Sequence, residues 1–118
     1  MKENNNDNPL RLTRINVSIP AVYSWKGSTA EGIIVDISSG GMGIDVRQIF
    51  VIGDILRVQF RAGEKLVEFW GIVRNVVGNN IGVKFEEISN ENLEIIEKLV
   101  DDLLRARGLT SHEGYRSP

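Results

Sequence analysis

The chain has no cysteine and one histidine in 118 residues. Without cysteine there is no disulfide framework, no thiolate zinc site and no cysteine nucleophile. The lone histidine, His112, lies in a polar segment near the C-terminus. It reads as a solvated side chain and has no second histidine with which to build a metal site. A basic excess is also missing. The formal net charge is −2 and the pI about 5.4, which argues against a protein that coats nucleic acid. An anionic ligand must therefore be met by a local cluster of cations. No apolar run approaches the length of a membrane span, so membrane insertion is not expected. Met1 to Pro9 lacks the apolar centre of a signal peptide, and the expected location is the cytoplasm.

What is present suits one compact domain with a modest core, at 42% hydrophobic residues. The Asn-rich residues 1–9 read as a flexible tail, 10–107 as the domain and 108–118 as a second tail. Within the domain, a barrel is expected over about 14–87 and a helix over about 90–107. Ile15, Val17 and Ile19 alternate with polar residues toward Tyr23, and Pro20 suggests an edge position or a bulge there. Further period-2 stretches run over 32–38, 42–46, 56–61, 66–77 and 81–85, separated by turn residues. Phe60, Val83 and Phe85 fall on the apolar phase and are expected in the core. About six short strands in this pattern predict a small antiparallel barrel. The period then changes. Leu93, Ile96, Leu99, Val100, Leu103 and Leu104 follow helical spacing, with Ser89 or Asn90 as cap and Gly108 as stop. The helix is expected to pack on the barrel, with a dimer contact as the other use of its stripe, so the chain is expected to be a monomer or weak dimer.

The most chemically specific stretch is Asp36-Ile37-Ser38-Ser39-Gly40-Gly41. On an extended strand Asp36 and Ser38 leave one face, while Ile33, Val35 and Ile37 leave the other. A carboxylate accepts from two donors at once, such as the N–H groups on one edge of a guanine, and a hydroxyl donates or accepts. Gly40 and Gly41 let a ligand or another backbone come close. On turn chemistry alone, the same residues also read as a simple β-turn with Asp36 as its cap. Arginine pairs bidentately with phosphate or with guanine O6 and N7, so a mixed Arg and Asp site suits a guanine that carries phosphate.

In order and spacing these pieces resemble the PilZ family. The likeness rests on Arg11 and Arg14 in the N-terminal segment, the DxSxxG of Asp36, Ser38 and Gly41, then Gly71-Ile72-Val73-Arg74 and Gly82-Val83-Lys84-Phe85 before a terminal helix. The resemblance implies an all-β fold, a six-stranded antiparallel β-barrel (a PilZ-like split barrel) with one C-terminal α-helix. It also implies a bacterial, non-enzymatic receptor for the second messenger cyclic di-GMP, with no cofactor. One departure stands out. The family carries two arginines four residues apart, whereas position 10 here is Leu10 and the preceding arginine is Arg11, which gives RxxR. A spacing of three sends two side chains to opposite sides of an extended segment unless the loop curls, so Arg14 is the stronger carry-over.

The expected ligand-binding residues are thus Arg11, Arg14, Asp36, Ser38, Gly40 and Gly41, with Arg74 and Trp70 as secondary candidates and no catalytic or metal-ligating residue. Arg11 has an alternative reading as a solvated charge, Arg74 as a surface charge and Trp70 as a core or helix-facing side chain. The expected function is a signalling module that binds cyclic di-GMP and relays the signal to a protein effector. The alternative is a degenerate adaptor that works through protein contacts alone. A nucleotide hydrolase lacks support, since the folded region holds neither histidine nor cysteine.

Overall fold

The structure, a computed structural model, describes residues 13–108. The first expected tail, the second beyond Gly108, and Arg11 lie outside the described residues. The elements are β1 (Ile15–Trp25), β2 (Ser28–Ile37), β3 (Gly41–Asp45), β4 (Ile55–Ala62), β5 (Lys65–Val77), β6 (Asn80–Glu87) and α1 (Asn90–Ala106). All strand pairs are antiparallel, in the order β1-β2-β3-β6-β5-β4, and β4 returns to β1 to close the barrel. The six-stranded barrel and single helix read from the sequence are both present.

Local sequence explains the connections. Lys26 and Gly27 sit at φ 51° and 80° between β1 and β2, the positive pair that a two-residue hairpin needs to match strand twist. Pro20 lies where β1 pairs with β2 only, because the β4 ladder covers Ala21 to Ser24. A proline there sacrifices no ladder bond on the β4 side. Ser89 caps α1 by accepting from the Asn92 N–H at 3.0 Å. The stripe of α1 buries Ile96, Val100 and Leu104 and packs against β5, β1 and β4.

Inside, Ile34, Ile37, Ile44, Leu56, Val58, Val67 and Val73 are fully enclosed. Phe60 and Val83 are buried as expected, whereas Phe85 is only half-buried, edge-on to Phe69 with centroids 4.7 Å apart. Outside, Glu68 of β5 takes two bonds from Arg57 Nη2, at 2.6 and 2.7 Å, and one from Gln59 Nε2 at 2.7 Å. The Gln59 bond first, and then Arg57, hold its carboxyl below the ordinary carboxylate value. A depressed pKa gives stability that is present above the unfolded value and fades as pH falls through the folded one.

One strand phase differs from the expectation. Ile34 and Ile37 point inward, while Ile33 is 38% exposed and Val35 is intermediate. The cause is a bulge. Between Ile34 and Asp36, β2 spends two residues where β3 spends one, from Ile44 to Gly43, and an extra residue shifts every later side chain by one face. Ile34→Ala should therefore cost about 2–5 kcal/mol, the usual range for a truncated core aliphatic. Ile33→Ala should cost well under half of that. Urea midpoints of the two variants check the assignment, and equal losses would restore the unbulged phase.

Candidate ligand-binding site

Asp36 reaches the outer surface because of that bulge, opposite Gly43 of β3 and Asn16 of β1. Its Oδ1 accepts from the Gly43 N–H at 2.8 Å and from Arg14 Nη1 at 3.0 Å. The structure thus brings Arg14 and Asp36 together as an ion pair, with their side chains 55% and 20% exposed. A pair this open to water is worth about 0–1 kcal/mol. It holds the guanidinium at the site without locking it there.

Ser38 does not share the Asp36 face through even strand spacing, since β2 ends at Ile37. It organises the corner instead. Its Oγ accepts from the Gly40 N–H at 3.2 Å and donates to the Gly41 carbonyl at 3.4 Å, while its own N–H donates to that carbonyl at 2.9 Å. Gly40 is exposed, and its carbonyl accepts from the Phe85 N–H at 3.3 Å. Gly41 is demanded by packing: a Cβ there would lie 2.2 Å from the Val83 carbonyl oxygen.

Four neighbours are not among the expected ligand-binding residues, although Gly82 and Lys84 belong to a stretch already quoted for the family likeness. Gly43 lacks the side chain that would displace Asp36, since a Cβ would meet Oδ2 at 2.6 Å. Gly82, its partner on β6, is covered by Asn75 in the same manner, with Nδ2 and Oδ1 each 2.6 Å from the Cβ position. Lys84 stands exposed opposite Gly41. Glycine at a strand position flanked by buried Met42 and Ile44 was the available signal for Gly43. Nothing comparable marks Asn75, whose phase depends on a bulge.

The secondary candidates part company. Arg74 is the inserted, exposed residue between Val73 and Asn75, next to the glycine pair. Trp70, 44% exposed, pairs with Arg57 and Glu87 and lines a cleft with Ser89 and Asn92 at the start of α1. The structure groups it with that cleft and not with the Asp36 corner. A separate groove of about 610 Å³ is lined by Pro20, Val22, Ile33, Gln59, Arg61 and Leu66 among others. It contains none of the expected site residues. Among the described residues no cluster of His, Cys, Asp or Glu could hold a metal ion, and no helix is long and apolar enough to cross a membrane.

The family model for the PilZ domain matches residues 11–102. No curated protein matches the chain. Among solved structures, the PilZ domain of YcgR from Escherichia coli with c-di-GMP is similar at TM-score 0.66 and 16% identity, over 92% of this chain and 98% of that one. The inhibitor of motility MotI (DgrA) of Bacillus subtilis reaches TM-score 0.68 at 16% identity, over 80% and 49%. MrkH of K. pneumonia in its apo state reaches 0.70 at 18%, over 81% and 51%. The chain thus spans about half the length of MotI and of MrkH. At these identities the likenesses show the fold.

The two close glycines predict different losses. Gly41→Ala drives a Cβ into a backbone oxygen and should destabilise the fold by about 1–3 kcal/mol, the usual cost of overpacking. Gly43→Ala should cost less, since the clash is with the end of a side chain. It should instead dislodge Asp36 from its Gly43 bond. Thermal midpoints of both variants, with the Asp36 carboxyl signal followed by NMR, check the contrast.

Proposed function

The chain belongs to the PilZ domain family, and from that premise we propose that it is a receptor module for cyclic di-GMP that passes the signal to a protein partner. The observation that supports this most is the Arg14–Asp36 pair seated beside the Ser38–Gly41 corner. Arg14 supplies a bidentate donor for phosphate or for the O6/N7 edge of guanine, and Asp36 accepts from the guanine N–H groups. Arg74 and Lys84 are exposed nearby, so a chain of net charge −2 still offers local positive charge to a diphosphate. Trp70 is a remote candidate, and Arg11 lies outside the described residues.

Magnitudes permit the exchange. The exposed ion pair contributes about 0–1 kcal/mol, so little holds Arg14 on Asp36, and a phosphate that takes the guanidinium bidentately competes for it. Asp36 is then released to read the base. Binding re-aims Arg14 on the barrel wall, and the changed surface is what a partner senses. In this reading the chain is a cytoplasmic signalling protein of a bacterium, without catalysis, and binds neither nucleic acid nor a cofactor.

A second reading rests on a specific observation. Ile49, Val51 and Ile52 of the loop between β3 and β4, with Val77 at the end of β5, are 88%, 62%, 68% and 75% exposed. Such side chains suit protein contact and would serve an adaptor whose nucleotide site is empty. Calorimetry with cyclic di-GMP, and with GTP and cyclic GMP as controls, separates the two. The receptor reading expects saturable heat with cyclic di-GMP alone. Arg14→Ala should weaken binding by about 1.5–3 kcal/mol, roughly one to two decades. Asp36→Asn should lose less, because its amide oxygen still accepts. Absence of heat for the unaltered chain would leave the adaptor.

A further inference from the structure

Two bulges flank the Gly43–Gly82 pair. In β2 the extra residue turns Asp36 out over Gly43. In β5 the register steps from Val73, opposite Val83, to Asn75, opposite Gly82, so that Arg74 is the inserted residue. Val73 is fully buried. Strict alternation from Val73 would send Asn75 into the core, where an unpaired carboxamide is costly. The insertion puts it outside, flat over Gly82, as the mirror of Asp36. Bulges recur where a side chain has to be re-aimed beside a functional site.

The resulting row is Asp36, Gly43, Gly82, Asn75, one residue from each of four neighbouring strands. Facing Cβ positions on antiparallel strands stand about 4.5–5.5 Å apart, so a carboxylate and a carboxamide lie side by side at roughly that separation. Asp36 Oδ1 is engaged by Gly43 and Arg14. Its Oδ2, and both ends of the Asn75 carboxamide, have no hydrogen-bond partner among the described residues. An acceptor-only group beside a group that donates is the complement of guanine, which presents N–H donors next to the O6 acceptor.

Resting on the cyclic di-GMP reading above, we propose that Asn75 is a specificity-determining contact that donates from Nδ2 to guanine O6 while Asp36 accepts from the ring and amino N–H groups. Adenine carries an amino group where guanine carries O6. It would meet the Asn75 donor with a donor unless the carboxamide turned, and with an unprotonated N1 and a C2–H it presents no N–H to Asp36.

The test uses the full chain, labelled with ¹⁵N and titrated with cyclic di-GMP. The Asn75 side-chain NH₂ pair should move together with the Asp36 and Gly43 backbone signals. In calorimetry, Asn75→Ala should weaken cyclic di-GMP about threefold to tenfold, the loss of one neutral hydrogen bond. It should not weaken cyclic di-AMP, so the preference for guanine narrows. If Asn75→Ala lowers the thermal midpoint, the shift of the Asn75 NH₂ pair in the unaltered chain decides. A static NH₂ pair while the Asp36 and Gly43 signals saturate overturns the role of Asn75 and leaves the receptor reading intact. So does an affinity within twofold of the unaltered chain. No shift and no heat for the unaltered chain overturns both.

Discussion

A closed barrel of six strands gives each residue one binary assignment, core or outside, and alternation propagates that assignment along the whole strand. The site depends on breaking this rule twice. Ile34 and Ile37 must both be inward for β2 to close over the core, and they are three residues apart. Odd spacing is satisfied only by an inserted residue, and the insertion is what leaves Asp36 outside. The same logic holds on β5, where Val73 is inward and Asn75 lies over Gly82. Core packing and the outward placement of Asp36 and Asn75 are therefore coupled through backbone register. Removing either insertion would bury a polar group or expose an aliphatic one, each a loss of kcal/mol order.

Glycine completes the arrangement by subtraction. Gly43 and Gly82 face one another across β3 and β6, and their missing side chains are where Asp36 and Asn75 rest. Gly41 serves a different purpose, the approach of β3 to the Val83 carbonyl. The Gly-Gly corner and the isolated strand glycines thus carry separate duties. The first fixes chain direction, and the second makes room for polar groups on an otherwise crowded surface.

Much of this was legible in the sequence. The strands and the helix announce themselves by period, and the meeting of Arg14 with Asp36 follows from an arginine placed before a strand whose partner carries the carboxylate. The details that failed share one cause. Period-2 reasoning places Ile37 in the core correctly but sends Ile33 and Val35 there too, because it has no term for an inserted residue, and it pairs Ser38 with Asp36 because it extends the strand past Ile37. Asn75 and Gly43 escaped for the same reason: their meaning lies in which residue they face, and register across β3, β6 and β5 is a tertiary property. Trp70 was ambiguous between ligand and helix. The cleft it shares with Ser89 and Asn92 reflects the docking of α1, which alternation along β5 alone cannot locate.

Position also decides how the corner communicates with the rest of the molecule. Asn16 of β1 is the register partner of Asp36, and its carbonyl accepts from the Arg107 guanidinium just past α1. Ile15 beside it is buried and faces Ile37. The first residues of β1 therefore touch the Arg14 segment, the Asp36 corner, the core and the end of the helix within a few positions. Under the receptor reading, a ligand that takes Arg14 away from Asp36 acts on a stretch of backbone held on one side by a buried isoleucine and on the other by an exposed arginine bond. The buried contact is the stronger restraint, because burying an isoleucine side chain is worth about 1.5–3 kcal/mol, against about 1 kcal/mol for an exposed hydrogen bond. The Arg107 bond at the end of α1 is thus the weaker of the two restraints on this stretch, and the core contact of Ile15 the stronger.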